Sequence, residues 1–164
     1  MMDLVEYYNV SPEEAEILGT RATGRKPSFP ASLTCDAVSG KTWEELWHDK
    51  PRETTEQRLN FYKDIGAWSA FRQVLYRRDF NYGYFYNKFC TVNSSILEYG
   101  CGVAPMANFL LDRMASDKHN TRFTLVDVTS EHFEFAKWRI EKKASNVRVE
   151  FIDITLENMV PSFS

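Results

Sequence analysis

The sequence predicts an α/β protein in which a helical N-terminal segment precedes a parallel sheet. Three observations lead there. A short apolar run, Ile96-Leu97, meets an acid and a Gly-x-Gly turn, Glu98-Tyr99-Gly100-Cys101-Gly102, and passes at once into an apolar helical pattern. Glu98, Asp127 and Asp153 recur about one βα unit apart, each closing a stretch with strand character. Before residue 94 the chain instead carries helix caps and three- and four-residue apolar spacing.

In chain order, Ser11-Pro12-Glu13-Glu14 opens a helix: serine as cap, proline first, glutamate third. That helix is expected to end near Gly19. Residues 20–41, with Gly24, Pro27, Pro30 and Gly40, read as a loop. Thr42-Trp43-Glu44-Glu45 is a second capping box, opening a short helix with Trp43 and Trp47 that Pro51 closes. Thr54-Thr55-Glu56-Gln57 is a third. From it Leu59, Tyr62, Ile65, Trp68, Phe71 and Leu75 form an apolar stripe, so one long amphipathic helix is expected to about Arg78, weakened at Gly66. Residues 79–89 are crowded with aromatic rings, which either pack helices onto the sheet or, through Tyr82, Tyr84 or Tyr86, cover a ligand.

The sheet follows. Ile96 to Glu98 is the first strand, Thr121 to Val128 the second, rich in β-branched and aromatic residues, and Asn146 to Ile154 the third. Val147, Val149 and Phe151 alternate onto one face of that third strand. All three acids therefore belong at the same edge of a parallel sheet. The predicted organisation is a helical, aromatic-rich cap at 1–93 and a sheet domain at 94–164.

An acid two residues before the first glycine distinguishes the turn. Dinucleotide sites aim backbone N–H groups at phosphate there, and a carboxylate repels phosphate. A ligand carrying an amino group and a sulfonium suits it better. In the Gly-x-Gly-x-x-Gly register of dinucleotide sites the third glycine would also fall on Pro105.

On these residues the stretch 95–154 resembles the first half of a class I S-adenosylmethionine (SAM)-dependent methyltransferase. That family's first motif reads acid-x-Gly-x-Gly-x-Gly, and the chain supplies Glu98, Gly100 and Gly102, with Ala104 in place of the third glycine and Pro105 after it. Proline fits the first turn of a helix, where its missing N–H is no loss. The resemblance implies a Rossmann-like SAM-binding half-domain, with three parallel strands visible and an α-helical N-terminal cap. It implies that Glu98 holds the methionine end and that Gly100, Cys101, Gly102 and Ala104 let the cofactor approach. Asp127, with Val128 beside it, would read the ribose hydroxyls. Asp153 would accept from the adenine amino group, and the N–H of Ile154 would meet the ring. No residue is assigned to catalysis, because the family's acceptor loops follow strands four and five of a seven-stranded sheet.

Only three of those strands are in this sequence, which leaves one edge of the first strand bare, an aggregation hazard. Three arrangements fit: a truncated chain, which is the expectation, a split enzyme completed by another chain, or a compact variant whose N-terminal segment covers the edge. The leading function is therefore a SAM-dependent methyltransferase, or its SAM-binding fragment, inactive alone if truncated. The alternative is a non-catalytic SAM-binding or scaffolding subunit that completes its sheet with a partner chain or as an oligomer. A third, aminopropyl transfer from the same pocket, lacks the extra acids a polyamine would need.

Composition narrows the partners. Lys and Arg number 20 against 23 Asp and Glu, and the basic residues are scattered, so no nucleic-acid footprint exists. A small-molecule methyl acceptor is expected. The acidic start lacks the apolar core of a signal peptide and no run spans a membrane, so a cytoplasmic protein is expected. Cys35, Cys90 and Cys101 lack metal-ligand spacing and read as reduced thiols; His48, His119 and His132 are isolated, and no metal site is expected.

Overall fold

The computed structural model describes residues 2–16, 48–49, 51–64, 70–71, 73–74, 82, 84, 88, 93–114, 120–144 and 147–155. The expected loop at 20–41, the capping box at Thr42, Gly66, Tyr86, Cys35, Cys90 and His119 lie outside them. Two compact units form, residues 1–78 with 130–132 and residues 79–129 with 133–164.

In the first unit α1 spans Met2–Tyr8 and buries Leu4. Asp3 in its first turn suits the positive end of the helix dipole. Asn9, at φ 51, then turns the chain left-handed, and the Val10 N–H reaches back to the Val5 carbonyl at 3.2 Å. That is the usual closure of a helix by a residue tolerant of positive φ. Sequence reading assigned no element to this stretch; two turns are too short to show a period.

The box at Ser11 forms as expected. Ser11 Oγ accepts from the Glu14 N–H at 3.1 Å, and Glu14 Oε2 accepts from the Ser11 N–H at 2.7 Å, starting the helical residues 12–16. The box at Thr54 is likewise reciprocal with Gln57, at 3.2 and 3.1 Å, and opens α2, Thr55–Asp64. Of the expected apolar stripe, Ile65, Trp68 and Leu75, with the expected helix end near Arg78, lie outside the described residues, and the rest is only partly right. Leu59 and Phe71 are buried, but Tyr62 is 37% exposed and Phe61 is buried in its stead. Burying phenylalanine avoids finding a partner for a phenol hydroxyl away from water. Tyr8 lies on Phe71 with ring centroids 4.9 Å apart.

In the second unit, apart from residues 131–132 of α4, β1 (Ser95–Tyr99), α3 (Pro105–Met114), β2 (Arg122–Val128), α4 (Glu131–Glu141) and β3 (Arg148–Ile154) alternate. The three strands form one all-parallel sheet in the order β1-β2-β3. Ser95 lies opposite Arg122, Arg122 opposite Arg148, and Asp127 opposite Asp153. This is an α/β fold.

Strand alternation sorts the side chains onto two faces. Ile96, Phe123, Leu125, Val149 and Phe151 share one face and pack in a single core with Ala107, Leu110, Leu111 and Met114 of α3 and Phe133, Ala136 and Ile140 of α4. Both helices thus cover the same side. Lys143, just past α4, ties it to α3 through Asn108 Oδ1 at 2.7 Å and Asp112 Oδ1 at 2.8 Å. On the opposite face of β1, Leu97 and Tyr99 remain 48% and 53% exposed. No helix among the described residues is long and apolar enough to cross a membrane.

Candidate functional site

The C-terminal ends of the three strands and the turn after β1 gather the expected site residues. The turn is built by handedness. Gly100, Gly102 and Ala104 have φ of 67°, 56° and 48°, so every second residue is left-handed. Glycine takes that conformation freely, whereas alanine carries about 1–2 kcal/mol of strain in it. Ala104 thus takes a conformation that glycine adopts freely.

Long-range bonds hold the turn in place. The Val126 carbonyl accepts from the N–H groups of both Gly100 (2.8 Å) and Cys101 (3.1 Å). The Gly102 N–H donates to Asp127 Oδ2, and Asp127 Oδ1 accepts from the Val128 N–H at 2.7 Å. Arg139, buried on α4, reaches the Val103 carbonyl at 3.4 Å. The Ala104 carbonyl takes the first helical bond of α3, from Asn108 at 2.9 Å, which makes Ala104 the cap residue. A methyl cannot cap. Glu98 does so from the preceding strand, its Oε2 accepting from the Ala107 N–H at 2.9 Å.

Asp127 and Val128 are buried, as are Cys101, Gly102, Ala104 and Ile154, while Glu98 is half-buried. Gly100 is exposed, and a Cβ built on it would meet nothing within 4 Å, so space stands open beside the turn. Asp153 is half-exposed; its Oδ1 accepts from the Thr129 hydroxyl at 3.1 Å, and both its oxygens accept from Lys137 Nζ at 3.1 and 3.0 Å. Burial, and then the charges of Asp127 and Glu98, push the Cys101 thiol well above its ordinary value, with Lys137 acting weakly the other way. The thiol stays protonated and is no nucleophile.

The three acids share the helix-covered face, at the strand ends. Among the described residues no group of three His, Cys, Asp or Glu is gathered to hold a metal ion. Asp127 and Glu98 occupy backbone donors of the kind a phosphate uses. Two N–H groups that could face an anion, those of Gly102 and Ala107, already serve Asp127 and Glu98. A pyrophosphate would have to displace two carboxylates of its own sign.

Of the tyrosines, Tyr82 is buried and packs on Phe109, with centroids 5.7 Å apart, and Tyr84 is exposed with its hydroxyl accepting from Lys88 Nζ at 2.8 Å. Tyr82 thus takes the packing role, and Tyr84 points its hydroxyl to a surface lysine. Three residues at the site were not anticipated: Lys137, Thr129 and Arg139. The spacing of Glu134 and Lys137 on one helix face was the available signal for the first; nothing local marks the other two.

No protein-family model matches the chain, and no curated protein or solved structure matches it.

Proposed function

We propose that the chain binds S-adenosylmethionine at the C-terminal edge of its parallel sheet, as the cofactor half of a methyltransferase with a Rossmann-like domain. The observation that carries this reading is the set of three acids at successive strand ends beside a left-handed Gly-rich turn, where two backbone N–H groups already serve carboxylates. Such a site favours a cationic nucleoside over an anionic one.

The residues fit that ligand. Glu98 receives the amino group of the methionine end; one N–H uses one of about four lone-pair positions on a carboxylate. Gly100 leaves room beside the turn, with Cys101, Gly102 and Ala104 forming its floor. Asp127, held by two N–H groups, keeps acceptor capacity for ribose hydroxyls, and Val128 closes that end. Asp153 accepts from the adenine amino group, and Ile154 lies against the ring. SAM supplies an electrophilic methyl on a sulfonium, and the chain contributes by positioning it for in-line attack by a small-molecule acceptor and by excluding water.

A second reading, a non-catalytic SAM-binding or scaffolding subunit, draws on β1, which among the described residues stands at the margin of the sheet with Leu97 and Tyr99 exposed. Both readings require SAM binding; they part on oligomeric state and on methyl transfer. Isothermal titration tests their common ground: SAM and S-adenosylhomocysteine are expected to bind, and NAD to give no heat. Preference for NAD would overturn the assignment of the turn.

A further inference from the structure

Lys137 of α4 is the feature neither the fold nor the proposed cofactor contacts explain. Its ammonium donates to three carboxylate oxygens: Glu134 Oε1 at 2.9 Å and the Asp153 pair at 3.1 and 3.0 Å. It also stands 4.6 Å from the centroid of the Phe133 ring, within cation–π range. Its side chain is 21% exposed, shielded more than that of Asp153, at 39%. Thr129 also donates to Asp153 Oδ1, so the carboxylate is held by two groups from two different segments.

An i, i+3 pair on a helix surface would by itself be worth little. The reach to Asp153 is different, because it crosses from α4 to the end of β3 and fixes the acid there. The charge of Lys137 also falls on Cys101, alongside those of Asp127 and Glu98, so it belongs to the same electrostatic neighbourhood as the turn.

We propose that Lys137 is a positioning residue that sets the base preference of the site, in favour of a purine with a 6-amino group over one with a 6-oxo group. This rests on the nucleoside reading above. An ionised carboxylate only accepts hydrogen bonds, so a fixed one rewards an amino donor and opposes a carbonyl. A carboxylate free to rotate discriminates less, because it swings away and lets water bridge. Lys137 does not rescue the 6-oxo base, since its three hydrogens are committed to Glu134 and Asp153. Turning to the ligand would break charge-assisted bonds.

The experiment is titration of S-adenosylhomocysteine and S-inosylhomocysteine into the wild type, Lys137→Met and Lys137→Arg. Comparing two ligands on one protein cancels any general loss of stability. The wild type is expected to prefer the adenine compound by about tenfold or more, a difference of about 1.4 kcal/mol per factor of ten. Lys137→Met is expected to bring the ratio to about threefold or less, and Lys137→Arg to restore most of it. Should Lys137→Met fail to fold, Lys137→Gln gives the same reading. An unchanged ratio in the folded Met or Gln variant overturns the proposal, as does a wild type that binds both ligands equally. Failure of the wild type to bind either nucleoside removes the underlying cofactor reading and this inference with it.

Discussion

The capped helices of the first unit and the strand–turn–helix of the second are held together by different kinds of bond. Around Ser11 and Thr54 every fixing interaction spans three or four residues, cap to first turn and back. Around Gly100 to Ala104 one local bond, from the Ala104 N–H to the Cys101 carbonyl at 2.8 Å, is joined by others from Val126, Asp127 and Arg139, far along the chain, and Glu98 reaches across the turn to Ala107. A local cap forms as soon as its own turn does. The turn after β1 gains most of its bonds only once β2 and α4 are in place. Its shape is therefore a property of the assembled sheet, which is where a binding site needs rigidity.

That contrast can be broken by substitution, and the core should break it most. Phe123 is fully buried between the sheet and both helices, so Phe123→Ala is expected to cost about 3–5 kcal/mol in denaturant titration. Tyr62→Ala, on the exposed side of α2, is expected to stay within about 0.5 kcal/mol of the wild type.

Asp127 comes next. Asp127→Ala strands the buried N–H groups of Gly102 and Val128, each at about 1–3 kcal/mol. Loss of stability should accompany a loss of SAM affinity of about tenfold or more. Asp127→Asn keeps one acceptor oxygen and should recover much of the stability. Stability unchanged in Asp127→Ala, measured by thermal melting, would show that the turn does not depend on it.

The caps follow, with a smaller effect than the core or Asp127. Thr54→Ala is expected to lower stability by about 1 kcal/mol without touching ligand affinity, by melting and titration on the same sample. An effect on affinity would erase the distinction between local and assembled elements.

The same contrast explains what the sequence made legible. Both capping boxes that the structure describes were readable because donor and acceptor sit in one tetrapeptide. The three strands and their shared edge were readable from short apolar or β-branched runs that each reach an acid at βα spacing; the register that sets Asp127 opposite Asp153 came from the structure. The burial of Phe61 over Tyr62 was not, since helical spacing alone does not choose between adjacent aromatic residues. Nor could a linear reading show that Asp127 and Glu98 hold backbone N–H groups, or that Lys137 reaches Asp153, because those partners meet only in three dimensions. The resemblance assigned these acids to a ligand; the structure adds that they also build the turn. Ala104 at φ 48 is the reverse case: the motif marked the position as one for glycine, and the backbone there takes glycine's conformation without glycine.

Glu98 caps the first turn of α3 and, in the proposed function, receives the ligand's amino group with the same carboxylate. A glutamine at that position would keep the length of the side chain and an oxygen for the Ala107 N–H, but not the negative charge. The helix end would be kept while the attraction for a cation is lost. Architecture and recognition are thus separable at a single position by exchanging one oxygen for nitrogen, and the chain supplies its own control for telling a scaffold defect from a binding defect.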